Sequence, residues 1–446
     1  TANSAMETCA SNRRPFQLLA ACIGLGATLG TVRGDAVAPI GECADDESSA
    51  ERFLIGWPCD PGECHIYFGQ QRRALPTIFS AAVATNRTLV LPPFTFYDGQ
   101  AQQFSNAFKK QEEGQRPLFT PVGDLLDLAG LQKSAPDLRL VELRDWLASG
   151  HTLDIDLMFL SKGLPQHAVN EKRIDPNKDS SIFVDYECAT HEGIMKNLSA
   201  GGSGELWEQP REAVRVAEKR CTYAMLTRLG TTSGGMLGRI GESLEAPEAF
   251  ARRRTVALLG VGHQLHAHLN HPDSAAWVRG LRFAPRIVGE AERFMLERLV
   301  PAIPDSAPDV HAKALAFVAV HWRHGDYVAY RHATGRETVL KKALEALERL
   351  QCPTCPVFLL TNCEDRAEID ALRSELIKHG ARLVMYEPQA GAPGSGFRRE
   401  GERLSVDQAI ASRAAVFVKT GRSAVSTFVD AERTNLGVPT SKDFNI

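Results

Sequence analysis

The chain has 446 residues, enough for two domains of ordinary size. Its formal charge of −3 argues against bulk nucleic-acid binding, which needs a basic excess to displace counterions. Sparse aromatics and abundant Gly, Ala and Arg fit an α/β enzyme and select nothing finer.

Residues 1–38 read as a targeting segment. Arg13 and Arg14 precede an uncharged run from Pro15 to Gly30, and the small residues Ala36 and Ala38 follow. A basic end, a short apolar run and a small-x-small exit form the pattern of a secretory signal peptide. The run is short and broken by glycine for a membrane span, which needs about 20 apolar residues, so a signal-anchor is the alternative. A plain N-terminal helix is the third reading. Of ten cysteines, Cys9 and Cys22 fall in this leader. The even remainder suggests disulfides of undetermined pairing in an oxidising compartment. Residues 39–52 are polar and acidic, as in a stem or linker. Two sequons, at Asn86 and Asn197, become glycosylation candidates in a secreted chain.

Ordered structure is expected from Phe53. Leu75 to Thr85 has helical spacing, and Thr88 to Leu91 is a short buried strand stopped by Pro92 and Pro93. Leu138 to Val141 is a second strand. Residues 101–117 and 189–210 are polar and loop-like. The second half is more regular. Strands are expected at Thr255–Gly260, Ala314–Val320, Val357–Thr361, Leu383–Tyr386 and Ala415–Val418. Helices are expected at Glu337–Leu350, Glu364–His379 (stopped by Gly380), Ser405–Ser412 and Ser423–Glu432. Strands alternating with helices imply parallel sheets covered by helices. The expected architecture is α/β, with two facing Rossmann-like domains and a cleft between them. The boundaries are 53–250 for the N-terminal domain and 251–446 for the C-terminal one.

Two strand ends carry the chemistry, and in open α/β sheets ligands bind at such ends. The first strand runs into His321, Arg323, Gly325 and Asp326. Arg323 can donate a fork of hydrogen bonds to phosphate oxygens. His321 can donate to a ribose or phosphate oxygen, and Asp326 can fix Arg323 or cap a turn. The alternative is a structural ion pair at a sheet end. The second strand runs into Thr420, Gly421, Arg422, Ser423, Ala424, Val425 and Ser426. Backbone N–H groups at the following helix start favour an anion, and serine hydroxyls add donors. Plain capping by Ser423 or Ser426 is the alternative. Neither a Walker lysine pattern nor G-x-G-x-x-G occurs. The run His263, His266, His268 and His271 lacks convincing metal spacing, and Cys352 with Cys355 is at most a zinc or redox half-site. No metal is expected.

These residues resemble a known family. His321-Trp322-Arg323-His324-Gly325 looks like the H-x-R-x-G motif of GDP-fucose-dependent fucosyltransferases. Residues 418–433 are similar to the end of the protein O-fucosyltransferases that modify EGF-like repeats. Val406-Asp407 resembles their Val-Asp step, Phe68-Gly69-Gln70-Gln71 their Phe-Gly-Asn-Gln turn, and the segment from Asn86 to Pro93 their early strand with its sequon. The order matches over roughly residues 54–440.

The resemblance implies a GT-B fold and an inverting, metal-independent transferase. It would move fucose from GDP-fucose to a Ser or Thr hydroxyl of an EGF-like or similar small disulfide-bonded domain. No cofactor is implied beyond this donor, no nucleic acid, and no membrane except through an N-terminal anchor. The implied place is the secretory pathway, in the endoplasmic reticulum lumen or the Golgi. Arg323 would neutralise the leaving diphosphate, and His321 and Asp326 would lie against the GDP. Asp407 would read the guanine. Ser423, Ala424, Val425 and Ser426 would hold the β-phosphate. Gly69 would bind substrate, Gln70 would be catalytic on the acceptor side where the family carries a functional Asn, and Glu63 would be the general base by position. Three departures stand out: Gln70 replaces an Asn, Ala424 a Ser and Val425 a Phe. A glycan-directed fucosyltransferase and a non-catalytic GDP-sugar-binding protein are the other readings.

Overall fold

The structure is a computed structural model. It describes residues 51–57, 68–97, 117–163, 183–185, 214–224, 252–259, 277, 279–299, 315–324, 333–387, 401–421, 423–439 and 445–446. The leader, most of the stem, Glu63, Asn197, the histidine run at 263–271, Asp326 and Arg422 lie outside the described residues.

The first sheet is built by β1 (Phe53–Gly56), β2 (Thr88–Leu91), β5 (Leu140–Glu142), β6 (Leu153–Gly163), β7 (Phe183–Asp185), β8 (Val214–Ala224) and β9 (Thr255–Leu259). Their order is β5-β2-β1-β9-β6-β8-β7. All pairs are parallel except β7 with β8. The second sheet holds β10 (Leu315–Trp322), β11 (Val357–Thr361), β12 (Leu383–Val384) and β13 (Ala414–Val418) in the order β12-β11-β10-β13, all parallel. A small antiparallel pair, β3 (Phe94–Tyr97) with β4 (Pro117–Thr120), was not foreseen. The change of sheet comes after β9 rather than at residue 250, because β9 is hydrogen-bonded between β1 and β6.

The helices are α1 (Phe68–Ala84), α2 (Val122–Leu125), α3 (Leu128–Ser134), α4 (Leu143–Ala148), α5 (Pro285–Phe294), α6 (Arg336–Arg349), α7 (Arg366–Lys378), α8 (Glu402–Ser412) and α9 (Ala424–Leu436). A π-helical turn, Met295–Leu299, continues α5. Asp365 caps α7, accepting from Ala367 N at 2.9 Å, and Gly380 ends that segment at φ +82. Left-handed φ is the reason glycine serves there.

Strand side chains alternate between faces, and this period places the core. In β10, Phe317 and Ala319 face one cluster, while Val318, Val320 and Trp322 face another with α6 and α7. Phe317 and Ala319 share their cluster with Leu54 of β1 and Leu75, Ile78 and Phe79 of α1. Residues of α5, α8 and α9 complete it. One core therefore runs between the two sheets, and α8, whose residues are almost all buried, lies inside it. The other face of the first sheet packs Phe53, Ile55, Trp57 and Trp146.

Close packing of α1 on β1 depends on Gly56. A Cβ added there would come within 2.3 Å of Ile78 Cγ2. Gly56→Ala should destabilise the fold by about 1–3 kcal/mol through overpacking. A thermal melt checks this, and an unchanged melting temperature would show that Ile78 can yield.

Candidate functional site

The site begins with the parity of β10. His321 and Arg323 share the alternation of Phe317 and Ala319, so they continue the face that looks into the space between the sheets. The neighbouring strand β13 ends at Val418 and runs into Lys419 and Thr420. Thr420 Oγ1 donates to His321 O at 2.6 Å and accepts from Arg323 N at 3.1 Å. One hydroxyl thus ties the two strand ends that sequence had singled out separately. On the other side of β10, His324 N donates to Asn362 Oδ1 at 2.8 Å. Neither Thr420 nor Asn362 was given a role from sequence. Their signal, a hydrogen-bonding residue just past a strand, is common.

His321 is buried, and its Nδ1 lies 2.8 Å from Ser426 Oγ in the first turn of α9. Burial, and secondarily the Arg323 charge, pushes its pKa down to about 3. The imidazole is therefore neutral at physiological pH and works as a hydrogen-bonding group, not a charge. Ser423 is the N-cap of α9, in extended conformation, but its side chain makes no capping bond. Its Oγ is buried without a partner among the described residues. The N-terminus of α9 adds free backbone N–H groups and a partial positive charge. Val425 is buried in the inter-sheet core, whereas Ala424 is partly exposed.

The first turn of α1 meets this helix start. A Cβ on Gly69 would lie 2.9 Å from Ala424 Cβ, so glycine permits the approach. Gln70 follows within α1. The helix starts seven residues earlier than its periodicity suggested, despite Pro76 in its interior. Tertiary packing explains this. Phe68 is buried edge-on to Phe94, with centroids 5.1 Å apart. Arg72 is buried with its guanidinium 4.2 Å from the ring centroid of Phe428 on α9 and 4.7 Å from that of Phe283. Burial lowers its pKa to about 10, with Glu432 opposing the shift. This cation–π sandwich fastens α1 to α9.

Asp407 sits on α8, one layer deeper. Burial pushes its carboxyl up to about 7, with Arg403 pulling the other way. A carboxylate so poised can accept from a ligand donor that offsets its desolvation. The structure thus gathers Gly69, His321, Arg323, Ala424, Val425 and Ser426 around the meeting of α1, β10 and α9, with Ser423 as the cap of α9. Asn86 is distant in role: it is exposed in the turn before β2, at φ +50, and its Oδ1 accepts from Arg139 at 3.0 Å.

Cys352 and Cys355 form a disulfide, with Cα atoms 5.3 Å apart, rather than a zinc half-site. Cys363 is buried as a free thiol. Among the described residues, no group of three or more His, Cys, Asp or Glu side chains could hold a metal ion. No helix among them is long and apolar enough to cross a membrane.

Comparison with known proteins agrees with this layout. A family model described as GDP-fucose protein O-fucosyltransferase matches residues 216–436. Among solved structures, POFUT1 in complex with GDP aligns with a TM-score of 0.53 at 16% identity, covering 89% of this chain and 97% of that one. POFUT1 in complex with GDP-fucose aligns at 0.51 and 15%, covering 88% and 97%. At such identity these likenesses show the fold, an α/β GT-B arrangement with two mainly parallel sheets. No curated protein matches the chain.

Proposed function

Because the chain belongs to the GDP-fucose protein O-fucosyltransferase family, we propose that it transfers fucose from GDP-fucose to a Ser or Thr hydroxyl of a small, folded, disulfide-bonded protein domain, with inversion. The observation that carries this is the convergence of Arg323, His321 and the N-terminus of α9, stitched by Thr420, on one face between the sheets. Such a cluster suits a diphosphate.

In the proposed reaction the acceptor oxygen bonds to fucose C1 while the bond from C1 to the β-phosphate oxygen breaks. The electron pair leaves with GDP, and the hydroxyl proton passes to a base. Glu63 is the candidate base by position. Arg323 stabilises the charge growing on the departing diphosphate, a task in which fixed cations and N–H dipoles supply much of the rate. The α9 start contributes the backbone donors of Ala424, Val425 and Ser426, and the buried Ser423 hydroxyl adds another. Asp407 accepts from guanine N1–H and N2–H. Gly69 and Gln70 stand on the acceptor side, and Asp326 supports Arg323. Because Arg323 and the helix supply the positive charge, no divalent ion is required.

The departures at Gln70 and Ala424 favour a second reading, a protein that binds GDP-sugar without turnover. Secretory residence, in the endoplasmic reticulum lumen or Golgi, is supported by the leader and by the Cys352–Cys355 disulfide. GDP release from GDP-fucose tests the enzyme directly. Release that persists in a chelator supports the proposal; loss on chelation contradicts the metal-independent form. Binding of GDP-fucose without release under any acceptor would favour the non-catalytic reading.

A further inference from the structure

Two residues past the Gly69–Gln71 turn, α1 carries Arg73. Its Nη2 reaches across to α9 and donates to Thr427 Oγ1 at 3.2 Å. Thr427 belongs to the first turn of α9, where its N–H and hydroxyl both bond to Ser423 O, at 3.1 and 3.0 Å. Ser423 caps the same helix with its own Oγ buried and unpartnered among the described residues. The close approach of Gly69 to Ala424 confirms that the first turns of the two helices touch. Two helix starts therefore bring their partial positive charges together.

Arg73 adds a full charge to that meeting point. Among the described residues no carboxylate pairs with it; its hydrogen bond is to a neutral hydroxyl. Its pKa is lowered, first by burial and then by the charge of Arg323. A partly buried arginine that feels a second cationic charge, and whose hydrogen bond goes to a neutral hydroxyl, is stabilised when an anion lies beside it. The Ser423 hydroxyl points to the same ligand class, since it is a donor left without an acceptor in a buried cap.

We propose that Arg73 is a second binding guanidinium for the donor diphosphate, carried across from the first sheet by α1 to act opposite Arg323, with Thr427 as its alternative partner. The proposal rests on the donor-site reading above and deepens it. The diphosphate would be gripped by one arginine from each sheet, so donor binding itself would lock α1 onto α9. Planar forks suit this role, since each can hold two phosphate oxygens at once.

The test is calorimetric titration of the full chain with GDP and with guanosine, which lacks phosphate. Arg73→Ala should weaken GDP binding about tenfold to a hundredfold, the worth of hydrogen bonds to a charged group. Guanosine binding should stay unchanged. Thr427→Val breaks the same contact between helices but keeps the guanidinium, so GDP affinity should be retained. Equal loss in both variants would mean that Arg73 is only a strut, and GDP affinity unchanged in Arg73→Ala would overturn the proposal. Should Arg73→Ala fail to fold by thermal melt, Arg73→Lys replaces it. A point charge without the fork should weaken GDP measurably; unchanged affinity would count against the two-pronged grip. Loss of GDP binding in Arg323→Ala but not in Arg73→Ala would sink this proposal alone. A wild-type chain that binds no GDP would sink the donor-site reading, and Arg73 with it.

Discussion

Arg323→Ala should lower turnover of GDP-fucose by about a hundredfold to a thousandfold, the range for removing a donor fixed on developing charge. The fold should survive. Arg323 is partly exposed at a strand end, and the bond that holds the strand ends together uses its backbone N–H, which alanine keeps. The melting temperature should accordingly stay close to wild type. Arg323→Lys should recover only part of the rate, because an ammonium lacks the planar fork. The measurement is initial-rate GDP release at saturating acceptor, with melts run in parallel. An Arg323→Ala enzyme with wild-type turnover would refute the assignment. Activity and melting temperature falling together would instead mean that the residue holds the strand end.

Asp407 makes the second large prediction, and its sign follows from its environment. Burial raises the folded-state carboxyl to about 7 from an ordinary value of 3.8. A raised folded pKa contributes stability that is complete below the unfolded value and is lost as pH rises through the folded one. The ligand-free fold is therefore strained by ionised Asp407 above about pH 7. Guanine, if Asp407 reads it, offers N1–H and N2–H to the ionised form. Guanosine affinity should then rise with pH towards a plateau above pH 7 and fall by up to about tenfold per unit below it. His321, held near pH 3, stays neutral throughout this window and contributes nothing to the slope. Guanosine is the better probe because it carries no titrating phosphate. Asp407→Asn should weaken it by about tenfold to a hundredfold at pH 8 and abolish the pH dependence. A wild-type pH profile in that variant would remove Asp407 from the site.

Much of the second sheet was legible because its strands are buried on both faces. Val357–Thr361 reads as a continuous apolar run, and the observed strand has the expected limits. The flanking helices carry clear punctuation, such as Asp365 before α7 and Gly380 after it. The first sheet was harder. β6 carries Asp154, Asp156 and Lys162, and β8 carries Arg215, Glu218, Lys219 and Arg220. These charges mask strand character, although Leu153, Ile155 and Leu157 are buried. Asp156 shows why a charge is tolerated: its Oδ2 accepts from the backbone of Arg254 at 2.6 Å and Thr255 at 2.8 Å, fixing the start of β9. No local pattern announces a bond between residues 98 positions apart.

The candidate site divides in the same way. His321, Arg323 and the Ser423–Ser426 turn were visible because they punctuate apolar strands. Sequence did not show that Thr420 joins them or that α1 begins early enough to bring Gly69 against Ala424. Nor did it show Arg72 buried between Phe283 and Phe428, since an arginine pair near a helix start reads as a solvated surface. Each of these is a contact between segments far apart in sequence. They make the site a property of both sheets, although its clearest motifs lie near one end of the chain.

Intact-mass spectrometry of a folded EGF-like repeat, incubated with the purified chain, GDP-fucose and a chelator, tests the central claim most directly. The account predicts a repeat heavier by one deoxyhexose, with the sugar mapped to a Ser or Thr hydroxyl and an equal amount of GDP released. The same should hold for no repeat when Arg323→Ala replaces the wild type at matched times. Absence of both transfer and GDP release, from a chain shown to be folded and tried also with other small disulfide-bonded domains, would contradict it.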